Sequence, residues 1–208
     1  MRTNGKCTAF SLCIAVAGFT IAGSARAEIL VNLKGQKQNP SVQMCMGIAG
    51  GANGGVVKDG AKIVVWDCNG ADDQIWSQPQ DPVLAPWFYY RNFFLRDLAT
   101  DGSSPACIQD GWINNTVGDK GAQLGIAACA ANGTSLSQQW IFDDAGENDP
   151  AGFPCYKIYS GYSWRAVGVA NAQSNPVQHG MAVIVWDSNS SDDQIWCVHP
   201  NPPKIIVS

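Results

Sequence analysis

The sequence has few of the residues that enzymes use for acid–base or metal chemistry. Histidine occurs only twice among its 208 residues, and so does glutamate, at Glu28 and Glu147. It contains no nucleophile elbow, no phosphate-binding glycine loop and no His/Cys cluster with metal-ligand spacing. The acidic run from Asp143 to Asp149 lacks the spacing of a calcium loop, so we expect a solvated turn there. We predict a protein that is not an enzyme and needs no metal or cofactor.

A membrane-spanning run is also missing. The longest apolar run, Cys7 to Gly23, is shorter than the roughly 20 residues that a span needs. Arg2 and Lys6 precede it, and Ser24-Ala25-Arg26-Ala27 follows it, with small residues at both positions of an A-x-A cleavage site. We predict a secretory signal peptide over residues 1–27, cut after Ala27, and a secreted protein with no membrane span.

The sequence has no excess of positive charge. Three of its 13 Lys and Arg residues lie in the predicted signal, which leaves ten against 17 acidic residues, a net charge of −7. Nucleic acids and anionic membranes attract basic surfaces, so this balance argues against both as partners. The 181 residues after the signal suit a single domain, residues 28–208.

An eleven-residue phrase occurs twice in the chain. Residues 66–76 read WDCNGADDQIW and residues 186–196 read WDSNSSDDQIW, and they agree at eight positions. Each follows a short apolar stretch typical of a strand, and each encloses a turn-forming Asp/Asn/Gly/Ser cluster. A third Gln-x-Trp lies between them, at Gln138-Gln139-Trp140.

The segments upstream of each Gln-x-Trp follow one order of strand, second strand, Gly-rich loop and third strand. This order gives three imperfect copies, at about residues 29–78, 87–142 and 155–198. Helical periodicity is missing throughout. Short strands, frequent turns and three copies predict an all-β fold with internal threefold symmetry.

Six cysteines follow the predicted signal, and an even number in an exported protein indicates disulfide bonds. Cys45 and Cys68 occupy the same places in the first copy as Cys107 and Cys129 in the second. In the third copy these places hold Ala166 and Ser188, so both cysteines are missing together, as pairing predicts. Cys155 and Cys197 remain, and we pair them by elimination.

Three Gln-x-Trp motifs in register with two cysteine pairs resemble the ricin B-type lectin domain, a β-trefoil. The resemblance covers roughly residues 29–198. It implies that Trp76, Trp140 and Trp196 pack near the pseudo-threefold axis. It also implies that the motif Gln braces the adjoining loop through hydrogen bonds.

The resemblance places a shallow sugar pocket on each copy, built from an Asp, an aromatic residue, an Asn and the motif Gln. The implied carbohydrate-binding residues are those of copies one and three: Trp66, Asp72, Asp73, Gln74, Trp186, Asp192, Asp193 and Gln194. Copy two has Gln109, Ala127, Ser137 and Gln138 at the family's positions and is expected to lack a site.

Copies one and three depart from the family pattern, because Gly47 and Gly168 replace its usual Asp. Two interpretations follow. The Asp pairs 72–73 and 192–193 could accept sugar hydroxyls instead. Alternatively, both Trp side chains pack on the barrel and the Asp pairs only form turns.

The expected function is that of a monomeric carbohydrate-binding lectin that binds glycans weakly, with two sites acting together. One alternative is the non-catalytic binding or delivery subunit of a secreted toxin. Another is a protease inhibitor with an exposed loop at 77–86 or 143–154. The aromatic stretch 87–94 is interpreted either as a covered strand or as a patch for a partner protein.

Overall fold

Short strands make up most of the structure, and their order follows the three sequence copies. The computed structural model describes residues 26–50, 60–78, 90–91, 94–95, 106–111, 116–130 and 135–200. The strands of these ranges are β1 Arg26–Asn32, β2 Met44–Ile48, β3 Ile63–Asp67, β4 Trp76–Gln78, β5 Tyr90–Arg91, β6 Phe94–Leu95, β7 Ala106–Gln109, β8 Gly125–Ala128, β9 Trp140–Asn148, β10 Pro154–Ser160, β11 Ala166–Val169, β12 Val183–Trp186 and β13 Ile195–Pro200. They are joined by one α-helix, α1 Leu33–Gln38, and by three 3₁₀ turns, Asp72–Gln74, Leu136–Gln138 and Asp192–Gln194.

Three antiparallel hairpins, β2–β3, β7–β8 and β11–β12, meet in a closed ring. Equivalent backbone hydrogen bonds of 2.8 Å join each hairpin to the next, from Gly60 N to Ile126 O, from Gly121 N to Val185 O and from Gly180 N to Val65 O. One bond type repeated three times is the signature of pseudo-threefold symmetry. The fold is a β-trefoil, in agreement with the threefold symmetry predicted from the three copies and with the fold that the family resemblance implied.

The remaining strands form the barrel beneath this ring. β1 pairs antiparallel with β13 over Glu28–Asn32 and also with β4. β10 pairs with both β9 and β13. The first strand of the chain therefore pairs with the last, and this pairing ties copy one to copy three.

The three motif tryptophans lie in the core, which confirms their predicted place. Trp76, Trp140 and Trp196 are all at most 1% exposed. The indole N–H groups of Trp76 and Trp196 donate to the carbonyls of Met46 and Val167, at 3.0 and 2.9 Å. The indole N–H of Trp140 has no hydrogen-bond partner among the described residues.

All three expected disulfides form, Cys45–Cys68, Cys107–Cys129 and Cys155–Cys197. The last joins directly opposed residues of β10 and β13. In copy three, Ala166 is fully buried, and the hydroxyl of Ser188 forms a 3.0 Å hydrogen bond with that of Tyr159. A hydrogen bond thus holds the third-copy loop where the other copies have a covalent bond.

Two expectations about local structure were wrong. The chain has a helix, α1, which is capped by the Asn32 side chain accepting from Gly35 N at 3.2 Å. Six residues including a glycine are too few to show an amphipathic period. The acidic segment 143–148 is not a turn but part of β9, paired with β10. The candidate inhibitor loop 143–154 is therefore mainly a paired hairpin.

Several other expectations fall outside the described ranges. Most of 77–86 and 87–94 lies there, and so do the side chains of the four paired residues in 90–91 and 94–95. Residues 1–25 of the predicted signal lie there as well. Cleavage after Ala27 would remove two residues from the β1–β4 pairing and leave the five β1–β13 pairs intact. In the described ranges, no helix has the length and apolar character needed to cross a membrane.

A buried carboxylate, Asp149, holds the turn between β9 and β10. It accepts hydrogen bonds from the backbone N–H groups of Ala151 and Phe153, from Gln36 Nε2 at 3.0 Å and from His199 Nε2 at 2.5 Å. Burial alone would raise the pKa of Asp149. The hydrogen bonds from Phe153, Gln36 and His199 outweigh burial and lower it.

Asp149→Ala is expected to lower the free energy of unfolding by about 2–4 kcal/mol at neutral pH, since it leaves several buried donors unpaired. Because the folded pKa is lowered, this contribution is present above the ordinary value of 3.8. It is lost as the pH falls through the lowered pKa. Urea unfolding over a pH series measures both effects. Asp144→Ala is the control: Asp144 is exposed and accepts one bond, from Gly146 N. Equal losses in the two variants would contradict the assignment.

Candidate functional site

An open cavity of about 380 Å³ lies on copy three. Its walls come from β11, β12, the loop between them, the turn before β13, and one glycine of copy two. The lining residues are Gly121, Gly168, Val169, Ala170, Asn171, Gln173, Ser174, Asn175, Ile184, Trp186, Asn189 and Asp193. The cavity brings together Trp186 and Asp193, two residues that the sequence singled out.

Trp186 forms the aromatic wall of the cavity. Along β12, Val183 and Val185 point into the core, so Trp186 points outward and is 37% exposed. Its ring lies over Gly121, where a Cβ atom would be 3.1 Å from the ring. Gly121 also has a φ of 85°, in the left-handed region that favours glycine. The aromatic wall therefore rests on the backbone of copy two.

Asp193 supplies a carboxylate at the base of the cavity. It is 5% exposed, and its Oδ1 atom is buried without a hydrogen-bond partner in the described part of the chain. A buried acceptor without a partner costs about 1–3 kcal/mol of stability.

Gly168 and Gly47 fit closely against the turns that carry these carboxylates. A Cβ atom on Gly168 would lie 2.9 Å from Gln194 Cγ and 3.3 Å from Asp193 Oδ2. On Gly47 it would lie 3.1 Å from Gln74 Cγ and 3.2 Å from Asp73 Oδ2. In both copies a carboxylate from the turn occupies the space next to the strand. The family pattern that the sequence resembles has its Asp on the strand itself, at the position of the glycine.

The motif glutamines brace the loops, as the resemblance implied. Gln194 Oε1 accepts from Asn189 N at 2.9 Å, and its Nε2 donates to Asp187 O at 3.0 Å. Gln74 makes the same two bonds, to Asn69 N and Asp67 O. Both side chains are 1% exposed. Their amide atoms are already paired, so their part in a site is to hold the loop in shape.

Copy one repeats this arrangement with different neighbours. Trp66 is 45% exposed and lies over Gly180 of copy three. His179 stands beside it, with ring centroids 5.1 Å apart, and its Nε2 contacts Asp67 Oδ1 at 2.5 Å. Residues 51–59, which follow β2, lie outside the described ranges.

Asp73 in copy one is the equivalent of Asp193. It is 3% exposed, and its Oδ1 atom is likewise buried and unpartnered in the described ranges. Burial raises the pKa of Asp73, and hydrogen bonds from the backbone of Asp73 and Ile48 only partly oppose this. The nearby charge of Asp72 raises it further.

The outer Asp of each pair lies differently. Asp192 pairs with Lys37 of α1 at 3.1 Å and does not line the cavity. Asp72 is exposed on the surface of its turn. The structure therefore buries the inner Asp of each pair and not the outer one, and in copy three this inner Asp lines the same cavity as Trp186.

In copy two, the side chains at the positions equivalent to these sites bond to one another. Gln138 Nε2 donates to Gln109 Oε1 at 3.0 Å, and the hydroxyls of Ser135 and Ser137 bond at 2.8 Å. Ala127, at the Trp position, is buried. The site positions of this copy offer neither an aromatic wall nor an unpaired carboxylate.

Sequence reasoning missed the amide groups of the cavity wall, on Asn171, Asn175 and Asn189. Asn171 has a φ of 60°, and its carbonyl accepts from Asn175 Nδ2 at 2.9 Å. Helix α1 supports this wall through Lys34, which donates to the carbonyl of Gln173 at 3.1 Å. The Asn/Ser-rich segment between β11 and β12 was the available signal. Within the described ranges, no group of His, Cys, Asp or Glu is arranged to hold a metal ion.

Solved structures share the fold at low sequence identity. ThreeFoil, a designed threefold symmetric protein, matches with a TM-score of 0.59 and 19% identity over 83% of this chain and 97% of its own. The ricin B-like lectin of Macrolepiota procera, in complex with lactose, matches at 0.52 and 12% over 84% and 95%. The β-trefoil lectin of the Vibrio vulnificus hemolysin/cytolysin, with N-acetyl-D-lactosamine bound, matches at 0.51 and 18% over 88% and 99%.

Three further matched structures are much longer, and this chain covers 30%, 17% and 32% of them. No family model and no curated protein matches the sequence. At these identities the likeness establishes the fold, a β-trefoil whose structural neighbours include ricin B-like lectins.

Asp73→Asn is expected to raise the free energy of unfolding at pH 7 by about 1 kcal/mol, because it removes a buried, incompletely paired charge. With a raised folded pKa, the carboxylate destabilises the fold above that pKa. This penalty disappears as the pH falls below the ordinary value of 3.8. Urea unfolding at both pH values tests this. Asp144→Asn, at an exposed carboxylate of β9, is the control; a gain in that variant, or a gain for Asp73→Asn that persists in acid, would refute the explanation.

Proposed function

We propose that the protein is a secreted lectin that binds carbohydrate through copies one and three. One observation carries the proposal. Copies one and three each have an exposed Trp and a buried Asp with an oxygen that is unpartnered in the described ranges, Trp66 and Asp73 in one and Trp186 and Asp193 in the other. In copy three the two residues line one cavity. Copy two has neither feature at these positions. An unpaired buried carboxylate costs stability, and such costs are tolerated at functional sites.

The chemistry of the copy-three cavity suits a sugar. The Trp186 ring can take the apolar C–H face of a sugar ring, while the Asp193 carboxylate, which lines the same cavity, accepts a hydroxyl. The rest of the wall presents amide and hydroxyl groups from Asn171, Ser174 and Asn189. The only charged side chain in the lining is acidic, so a neutral, hydroxyl-rich ligand fits better than an anionic one.

Binding at each site is expected to be weak. A shallow site of this type has a dissociation constant around millimolar, or about −4 kcal/mol. Two sites on one rigid domain raise the effective affinity for a surface that displays many copies of one glycan. The biological target is then a glycan-coated surface, since a free monosaccharide engages only one site at a time.

Secretion is part of the proposal. Three disulfides are typical of an oxidising compartment, and they agree with the predicted signal peptide.

A toxin-associated binding subunit is the second candidate. One structural neighbour is the lectin of a hemolysin/cytolysin, and such a role would use the same sugar sites. The protease-inhibitor alternative has less support, because one of its two candidate exposed loops, 143–154, is largely paired in β9 and β10.

A glycan array with the mature protein tests the proposal. Trp66→Ala and Trp186→Ala are each expected to weaken binding at least about tenfold by removing one of two cooperating sites. The double variant is expected to fall to background. Ser137→Ala, at the equivalent turn of copy two, is the matched control and should bind as the native protein does. An array without any native binding, or a double variant that binds normally, would refute the function.

A further inference from the structure

The loop between β10 and β11 carries two aromatic side chains that the proposed sites do not use. Tyr162 is 55% exposed and Trp164 is 65% exposed, more than either Trp66 or Trp186. Large aromatic groups exposed next to each other on a monomer usually mark a binding surface. We call this loop, Ser160–Arg165, the aromatic loop.

The backbone of the aromatic loop is strained at Trp164. Its φ is 57°, in the left-handed region, where only Gly, Asn and Asp are common. A bulky residue stays in this conformation only when its surroundings determine it. Strain of this kind concentrates at ligand-binding sites. The strained residue here is also the most exposed of the large hydrophobic residues named above.

A buried carboxylate of copy two fixes the loop. Asp110 is fully buried, and its Oδ2 atom accepts from Ser160 Oγ at 2.6 Å and from Ser163 Oγ at 3.0 Å. Ser160 Oγ in turn accepts from Tyr162 N, and Ser160 O accepts from Trp164 N at 2.9 Å. The equivalent residues of copies one and three are the apolar Ile48 and Val169. Copy two thus lacks a sugar site of its own but holds this loop rigid.

The aromatic loop is continuous with the aromatic wall of the copy-three cavity. The Tyr162 ring rests on Gly118, where a Cβ atom would lie 2.7 Å from it, just as Trp186 rests on Gly121. These glycines are three residues apart, and a turn closed by the bond from Ala122 N to Asp119 O lies between them. The two rings therefore stand on one short segment of copy two.

Charged groups contact the segment that carries the two rings and the Trp186 ring itself. The Arg165 guanidinium donates to the carbonyl of Gly118 and contacts Asp187 at 3.2 Å. Lys120 contacts Asp187 at 2.8 Å and lies 4.5 Å from the centre of the Trp186 ring. Arg165 and Lys120 thus hold Asp187 next to the segment that carries both rings. Aromatic surfaces with polar groups near them suit successive rings of a sugar chain.

We infer that Tyr162 and Trp164 form a further subsite of the copy-three site, which binds the second and later sugars of an oligosaccharide. The inference rests on the proposed sugar-binding function. Copy one has no equivalent support for a second ring. Trp66 rests on Gly180, and the residue three positions before Gly180 is Val177, which is buried. Copy three is then a chain-binding site, and copy one is a site for a terminal sugar.

The test uses Trp66→Ala as the background, so that only copy three binds. The probes are neutral glycans on an array, with each terminal sugar present alone and at the end of a tetrasaccharide. The background protein is expected to bind the longer form about five- to tenfold more tightly, as one or two added aromatic contacts would give. Adding Tyr162→Ala and Trp164→Ala is expected to remove this gain and reduce binding to the level of the single sugar.

Leu136→Ala is the control, because Leu136 is also an exposed large apolar side chain but belongs neither to the aromatic loop nor to the segment that carries the two rings. Trp164→Gly gives a second measurement. It is expected to lose the length-dependent gain while raising the melting temperature, since glycine relieves the strained backbone.

Three results would overturn the inference. One is equal binding of short and long probes by the background protein. Another is a length-dependent gain that survives loss of both aromatic rings. The third is a Leu136→Ala effect as large as that of the double change. Failure to bind any sugar, by either the native protein or the background, would instead refute the lectin function itself.

Discussion

The structure depends on one repeated interaction, in which a buried glutamine amide bridges the loop that follows each hairpin. Gln74, Gln138 and Gln194 each accept from a backbone N–H and donate to a backbone carbonyl of that loop. Two residues later a Trp enters the core. This bridge fixes where the loop leaves the hairpin and where the next barrel strand begins, so each copy keeps it whether or not it carries a site.

The glutamine bridge is common to all three copies, whereas the Trp and Asp of the candidate sites are found only in copies one and three. Copy two keeps Gln138 and Trp140 but has Ala127 and Ser137 where the other copies have Trp and Asp. The shared residues make the barrel, and the variable ones decide what its surface offers. The Gln and Trp common to all three copies therefore carry the least information about binding.

The sequence was sufficient for the fold because its signal is repeated. Three motifs in register predicted the threefold symmetry and two of the disulfides, the family resemblance implied the trefoil and the core tryptophans, and elimination left Cys155 and Cys197 as the third pair. Helix α1 was missed because tertiary contacts, such as Lys34 to the carbonyl of Gln173, hold it and no local period marks it. The sequence also could not tell Asp73 from Asp72, or Asp193 from Asp192. That difference depends on which carboxylate the 3₁₀ turn buries, and the answer lies in packing against Gly47 and Gly168. Burial and two paired amide atoms give Gln74 and Gln194 the bracing part that the resemblance implied.

The seating of each exposed Trp on a glycine of another copy has a further consequence. Trp186 stands on copy two and Trp66 stands on copy three, so neither ring has its support within its own repeat. A single repeat cut out of the chain would carry the motif but only half of a platform, and it could recover the other half only as a closed trimer. The order of the copies also matters, because it sets whether Lys120 or His179 stands beside a given ring. Shuffling the repeats would leave the barrel's composition unchanged and yet redistribute charge among its sites.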